Sequence, residues 1–150
     1  GINTGECIVG NMGSRERFNY TILGDAANLA SRLEGANKAF GTYLMVSETT
    51  WTRSGFDWTG RELANLRVVG RQKPVRVYQL VGMPGEARPE SWKDFEMGRQ
   101  LFEQGRLAEA GALFARWPDD PAARAYAERC AKRSEVSIEP WTGIWELGEK

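Results

Sequence analysis

The chain has 150 residues, and its twenty basic and twenty acidic side chains give a formal net charge of zero. This length suits one ordinary domain, or one small domain with an appendage. The balanced charge provides no overall field that would favour nucleic acid or an acidic membrane as a partner. No apolar run approaches the roughly 20 residues that span a bilayer. We therefore expect a globular protein in the cytoplasm.

The residue types exclude several kinds of chemistry. The chain has no histidine, so Ser-His-Asp and Cys-His catalysis and histidine-bound zinc are excluded. Its two cysteines, Cys7 and Cys130, form no CxxC motif. They predict a reducing compartment, with each cysteine serving as a small buried apolar residue. Any chemistry must rest on carboxylates, arginine, lysine, amides or a bound metal.

The first part of the chain alternates between strands and helices. The runs ECIVGNMG and RFNYTIL predict two strands joined by a loop that contains Gly13 and Ser14. A helix follows, with Asp25 as its predicted N-cap and Gly41 at its end. Its predicted buried stripe is formed by Leu29, Leu33, Ala36 and Phe40.

Three more strands and a short helix complete residues 1–82. TYLMVS predicts a short strand, and Ser47 is the predicted cap of a brief helix after it. RELANLRVVG and PVRVYQLVG predict a second strand pair. The order β-β-α-β-α-β-β indicates an α+β domain with a largely antiparallel sheet.

The second part of the chain differs in character. Residues 83–90, which contain two prolines and a glycine, predict a linker. Residues 91–150 predict a small all-α appendage, with small and apolar residues at Phe95, Gly98, Leu101, Gly105, Ala108, Ala110 and Phe114. This pattern resembles a single tetratricopeptide-type helical hairpin. One such unit cannot bury its own face, so it must pack on the first domain, on a second copy or on a partner. In its tryptophan-rich end, Trp141 and Trp145 are predicted to fill a groove rather than bind a ligand.

Asn28 and Arg32 are the candidate functional residues of the first helix. They lie four residues apart and therefore share one face. Asn28 falls in the first turn, where free backbone N–H groups and the helix dipole favour an anion such as phosphate. The alternative is an ordinary solvated face opposite the apolar stripe, and spacing alone favours that alternative.

Three segments change this balance: GINTGECIVGNMGS, FNYTILGDAANLASRLEGANK and VVGRQKPVRVYQL. Together they resemble, over about residues 1–82, the C-terminal half of the catalytic domain of class III adenylate and guanylate cyclases. The resemblance implies part of a ferredoxin-like fold. It also implies formation of a 3′,5′-cyclic nucleotide and pyrophosphate from a nucleoside triphosphate, with two divalent ions, Mg²⁺ or Mn²⁺. The active site would form against a second cyclase domain, in a homodimer.

The same resemblance assigns roles to individual positions. Asn28 matches the asparagine that orients the ribose, and Arg32 matches the arginine that stabilises charge on the reacting phosphates. Thr21 matches the purine-selecting position, and the backbone of Ile22 would lie near the purine edge. Because threonine at this position resembles bacterial adenylate-forming members, we expect ATP as substrate, with cyclic GMP as the alternative product.

The sequence also departs from the family pattern. The two metal-binding aspartates and the purine-contacting lysine belong to the N-terminal half, which has no counterpart here. We therefore expect a piece of a longer protein that holds no metal site and is inactive alone. Val69 stands where the family often has a lysine, and Arg71 is the nearest cation that could reach phosphate in its place. The alternative for Arg71 is an exposed charge at a hairpin tip.

A non-catalytic role is the competing interpretation. A degenerate cyclase half could serve as a dimerisation module, with the helical tail binding another protein, and Val69 is the best support for this alternative. The tail also resembles those of bacterial sensor cyclases. Membrane attachment of the whole protein through a region before Gly1 is therefore a further expectation.

Overall fold

The computed structural model describes residues 1–14, 17–55, 57–136 and 140–147. The predicted order β-β-α-β-α-β-β is confirmed for residues 1–82, and three helices and a short terminal strand follow it. The elements are β1 (Ile8–Ser14), β2 (Arg17–Leu23), α1 (Asp25–Phe40), β3 (Met45–Ser47), α2 (Glu48–Arg53), β4 (Thr59–Arg67), β5 (Val75–Gly82), α3 (Ser91–Glu103), α4 (Leu107–Phe114), α5 (Pro121–Val136) and β6 (Trp145–Glu146).

The strands of the described residues form two separate sheets. β1 and β2 make an antiparallel two-stranded ribbon, and the other four strands lie in the order β3-β5-β4-β6. The larger sheet is antiparallel except for the parallel pair of β4 and β6, which confirms the predicted α+β class. The predicted loop at Gly13 and Ser14 is wrong, because pairing continues to Ser14 opposite Arg17 and keeps both residues in β1.

Helix α1 forms as its apolar spacing predicts. Its stripe of Leu29, Leu33, Ala36 and Phe40 is buried, and the helix ends at Gly41 with φ of 61°. This face packs against β3. The first residues of the chain bond to β3 as well, since the backbone N–H of Ile2 donates to Met45 O at 2.9 Å.

Ser47 caps α2 as predicted. Its hydroxyl oxygen accepts a hydrogen bond from the backbone N–H of Thr50 at 3.3 Å. The strand before it is shorter than TYLMVS predicts, because its regular pairing with β5 spans only Met45–Ser47, with one further hydrogen bond from Leu80 N to Leu44 O at 3.2 Å.

The helical tail packs on the chain's own sheet, which is the first of the three predicted ways to cover its apolar face. Phe95, Phe102, Phe114 and Tyr126 join Leu63 and Leu66 of β4 in one continuous core. The Tyr126 hydroxyl donates to Leu63 O at 2.7 Å. The tetratricopeptide resemblance of this tail remains a prediction.

Both tryptophans of the terminal segment pack against the tail helices, as predicted. Trp145 is buried, and the Trp141 indole N–H donates to Phe102 O at 2.6 Å. The strand β6 that Trp145 begins has no counterpart in the sequence prediction.

The two cysteines have different environments. Cys130 is buried, and burial raises the pKa of its thiol to about 11. The prediction is wrong for Cys7, which is exposed because it precedes a ribbon whose side chains are largely in solvent. Among the described residues, no helix is long and apolar enough to cross a membrane.

Candidate functional site

The candidate site begins at the junction between β2 and α1. Gly24 joins the two elements with φ of 143°, a backbone conformation that residues other than glycine rarely adopt. The first intrahelical bond runs from Asn28 N to Gly24 O at 3.2 Å. The backbone N–H groups of residues 25–27 therefore precede the helical hydrogen-bond ladder.

Asp25 does not cap this helix, which corrects the sequence prediction. Gly24 occupies the N-cap position, and no side chain makes a capping hydrogen bond. Asp25 is instead the first helical residue, and its carboxylate forms an ion pair with the guanidinium of Arg71. The negative charge of Asp25 in the first turn still interacts favourably with the helix dipole.

Asn28 and Arg32 lie one turn apart on α1, away from its buried stripe. Asn28 is exposed, and Arg32 is partly buried. Within the described part of the chain, neither side chain has a hydrogen bond or an ion pair. The amide and guanidinium donors are therefore available to a ligand, as the phosphate interpretation requires.

The guanidinium of Arg32 lies against the turn between β4 and β5. A Cβ placed on Gly70 would be 3.0 Å from Arg32 Nη2 and 3.5 Å from its Cζ. Gly70 also has φ of 76°. The turn can therefore approach the arginine this closely because residue 70 has no side chain.

Arg71, the next residue of this turn, also contacts α1 through its side chain. Its Nη2 lies 2.8 Å from Asp25 Oδ2, and its side chain is 28 % exposed. Its backbone N–H donates to Val68 O at 3.1 Å, which closes the turn. Arg71 is therefore a paired, half-buried cation beside α1, whereas Val69 is exposed and apolar.

Thr21 and Ile22 lie on β2, just before the junction. Thr21 pairs with Gly10 and is partly buried, while Ile22 is 52 % exposed. No hydrogen bond joins the Thr21 hydroxyl to Asn28 or Arg32 among the described residues. The structure thus brings α1 and the β4–β5 turn together, and places the purine-site candidates on the adjoining ribbon.

An open cleft lies beside the Asp25–Arg71 pair, with a volume of about 660 Å³. Its polar lining includes Asn3, Glu48 and Asn65 in addition to the pair. Asp25 and Gly70 are site residues that the sequence did not predict. Asp25 meets Arg71, and Gly70 meets Arg32, through a tertiary contact between α1 and the β4–β5 turn, which no local pattern signals.

The described residues do not fit a divalent metal. They contain no group of three or more carboxylate, cysteine or histidine side chains that could hold one. Asp25, one of the carboxylates that line the cleft, faces the cation of Arg71. Mg²⁺ prefers several oxygen ligands, usually from carboxylates, phosphates and water.

Comparison with known proteins now identifies the family. Residues 1–82, more than half of the chain, match the model of the adenylate and guanylate cyclase catalytic domain. The chain therefore belongs to this family, and the resemblance in its three sequence segments is confirmed. Catalytic domains of this family generally use divalent metal ions, act on nucleotides and associate as dimers.

Individual relatives agree with this assignment. Adenylate cyclase 1 of Rhizobium meliloti is 39 % identical over 83 residues, which cover 55 % of this chain and 12 % of the relative. The terminal-differentiation-specific adenylate cyclase of Dictyostelium discoideum is 29 % identical over 141 residues, covering 87 % of this chain and 7 % of that protein. The chain thus spans about a tenth of the length of these relatives.

Among solved structures, the adenylyl cyclase CyaB from P. aeruginosa is 32 % identical to this chain, with a TM-score of 0.43. The similarity covers 55 % of this chain and 41 % of the CyaB chain.

Proposed function

We propose that residues 1–82 supply the C-terminal half of an adenylate cyclase catalytic domain, which forms 3′,5′-cyclic AMP and pyrophosphate from ATP for intracellular signalling. One observation carries the proposal. In a chain of this family, Asn28 and Arg32 lie one turn apart at the start of α1, with no described partner for either side chain. Relatives named adenylate cyclases support the choice of ATP.

Arg32 stabilises the reacting phosphate in this proposal. When the ribose 3′-hydroxyl attacks the α-phosphorus, negative charge develops on the phosphate oxygens and on the leaving pyrophosphate. The planar guanidinium can donate two parallel hydrogen bonds to such oxygens. The guanidinium already lies beside the turn at Gly70, and a donor that is already placed costs little reorganisation during the reaction.

Asn28 and the start of α1 orient the substrate. The exposed amide can donate to and accept from ribose hydroxyls, and the first-turn N–H groups favour negative charge nearby. Thr21 on β2 would contact the purine through a hydroxyl that both donates and accepts, with the backbone of Ile22 beside it. Such a hydroxyl suits either purine.

Arg71 is the second phosphate-binding cation in this proposal, and Asp25 is its counter-ion. The 2.8 Å pair keeps the Arg71 side chain at the site before substrate binds. When bound, two Mg²⁺ or Mn²⁺ ions would supply further charge neutralisation at the phosphates. Their ligands would come from outside this chain, because its described residues do not fit them.

A second cyclase domain is the proposed partner, most simply a second copy of the same protein. Among the described side chains of β1 and β2, five large apolar ones are between 48 % and 76 % exposed: Ile8, Val9, Tyr20, Ile22 and Leu23. An exposed group of apolar side chains on an otherwise polar surface marks an interaction site. The ribbon also carries Thr21, so a partner packed on it would lie beside the purine site.

The second candidate function is a non-catalytic dimerisation module. It is favoured by Val69, an exposed apolar residue at a position where the family often has lysine. The residues encoded upstream of Gly1 distinguish the two candidates. Two aspartates at the metal-binding positions favour the enzyme, and their absence rules out catalysis by a homodimer of this protein.

The decisive experiment measures cyclic AMP and cyclic GMP formation by the full-length protein with Mg²⁺ or Mn²⁺. We expect Arg32→Ala to lower kcat by about 10²–10³, the usual effect of losing one charge-stabilising donor. Arg53→Ala is the matched control, since Arg53 is exposed at the end of α2. Wild-type turnover in a folded Arg32→Ala variant would show that the assigned role is wrong.

A further inference from the structure

The last described strand of the chain borders the candidate site. β6 pairs in parallel with the end of β4, placing Trp145 opposite Leu66 and Glu146 opposite Arg67. The backbone N–H of Leu147 donates to Arg67 O at 3.3 Å. The side chains add an ion pair, with Arg67 Nη1 2.6 Å from Glu146 Oε1.

This pairing ends directly before the turn that contacts Arg32. Val68, which follows Arg67, is buried in the core, and its carbonyl accepts the turn-closing hydrogen bond from Arg71 N at 3.1 Å. Gly70 lies between these two residues. A displacement of Leu66 and Arg67 would therefore move the backbone that carries Gly70 and Arg71.

Trp145 ties the same strand to helix α1. Its ring lies 4.5 Å from the ring of Phe40, the last residue of α1, and 4.7 Å from that of Tyr126. The Arg129 guanidinium covers it at 4.5 Å. Because α1 also carries Arg32, the buried indole joins the end of this helix to the strand that leads into the turn.

We propose that the segment Trp145–Leu147 positions the β4–β5 turn against α1, so that its three members are positioning residues that act through Arg71 and Arg32. The larger sheet has β6 at its edge, and without it the end of β4 would pair with β5 alone. An unpaired edge frays more readily than a paired strand. The consequence for turnover rests on the proposed cyclase function, whereas the consequence for the turn does not.

The first experiment compares Leu147→Pro with Leu147→Ala in the 150-residue chain. Both variants lose the leucine side chain, and only the proline also loses the N–H that donates to Arg67 O. We expect the Arg71 amide to exchange its hydrogen about two- to tenfold faster in the proline variant, the factor that loss of one hydrogen bond predicts. The Leu33 amide on α1 should exchange equally in both. Equal Arg71 exchange in the two variants would overturn the proposal.

The second experiment uses charge reversal in the full-length protein, since Arg67 and Glu146 are partly exposed and their variants should fold. We expect Arg67→Glu and Glu146→Arg each to lower kcat by about two- to fivefold, with KM for ATP nearly unchanged. The double variant should recover most of the loss, which a merely structural effect of two added defects would not do. Additive losses would overturn the proposal. If the wild type forms no cyclic nucleotide, the proposed function fails, and amide exchange still decides whether β6 positions the turn.

Discussion

The interface between the tail and the larger sheet contrasts with the face that carries Asn28 and Arg32. At the tail interface, charged side chains are buried and paired. Arg61 of β4, 8 % exposed, forms a two-pronged pair with Asp120, and the Asp120 carboxylate also caps α5 by accepting from Ala122 N. Arg99 of α3, 6 % exposed, lies between two glutamates.

The candidate site shows the opposite arrangement. Asn28 and Arg32 hold strong donors with no described partner, and the adjoining β1–β2 ribbon leaves apolar side chains in solvent. A buried polar group without a partner is costly. The buried charges of the tail interface form ion pairs within the chain, although the Nε of Arg99 has no hydrogen-bond partner among the described residues. At the site, the Asn28 amide is exposed and the partly buried Arg32 guanidinium has no described partner, so both donors remain available to a ligand. The tail interface therefore contributes to the stability of the fold, whereas the donors of the α1 face are available to a ligand.

The largest effect should follow from breaking the buried pair at the tail. Asp120→Ala leaves the Arg61 charge buried without its partner and removes the cap of α5. We expect the free energy of unfolding to fall by about 3–5 kcal/mol, measured by urea denaturation of the 150-residue chain.

The Arg61–Asp120 prediction has two controls. Glu109→Ala removes the partner of Arg106 in an exposed pair, and its effect on unfolding should be far smaller. Replacing both partners, as Arg61→Leu with Asp120→Ala, should recover part of the loss because no buried charge then remains unpaired. A single Asp120→Ala variant as stable as the wild type would contradict the contrast between the two regions.

Local patterns predicted the parts of the fold that depend on neighbouring residues. The apolar residues from Leu29 to Phe40 recur with the period of a helix. Ser47 stands directly before α2, in the position of an N-cap. The order of elements in residues 1–82 followed from such signals. Asn28 and Arg32 were found as a pair for the same reason, since helical spacing alone places them on one face.

Contacts between distant segments could not be predicted in this way. Asp25 has the residue type of an N-cap, yet a cation 46 positions later binds its carboxylate. Arg61 and Asp120 are 59 positions apart and carry no shared motif. The strand β6 has two residues, too few for any periodicity, and it forms because Trp145 is anchored in the aromatic core.

A substitution of intermediate effect separates backbone strain from the site itself. Gly70→Ala should lower the free energy of unfolding by about 1–2 kcal/mol, since φ of 76° is unfavourable for a residue with a side chain. It should also lower kcat of the full-length protein, because the new methyl group would lie 3.0 Å from Arg32 Nη2 and displace the guanidinium.

Gly85→Ala is the matched control for this prediction. Gly85 has a similar φ of 86°, and a Cβ there would meet no atom within 4 Å. The stability loss should be comparable, and kcat should stay at the wild-type value. Equal activities of the Gly70 and Gly85 variants would show that the close approach to Arg32 has no catalytic consequence.

The smallest effect concerns the pH dependence of the tail interface. Burial raises the pKa of Glu62 above its ordinary value of 4.5, and the charges of Arg99 and Arg76 offset this only in part. Between 4.5 and the raised pKa, the folded state holds a proton on Glu62 that the unfolded state has released. Glu62 therefore contributes stability that is lost as pH rises through this window.

Asp120 behaves in the opposite sense. Burial alone would raise its pKa, but the hydrogen bonds and charge of Arg61 hold it below 3.8, so its contribution is lost as pH falls. Because the two carboxylates titrate in different windows, Glu62→Gln isolates the first. We expect the stability of Glu62→Gln relative to the wild type to increase as pH rises from about 4 to 7, in urea denaturation at each pH. The exposed Glu128→Gln on α5 gives the baseline, and a Glu62→Gln curve parallel to it would mean that burial of Glu62 at the tail interface has no effect on its ionisation.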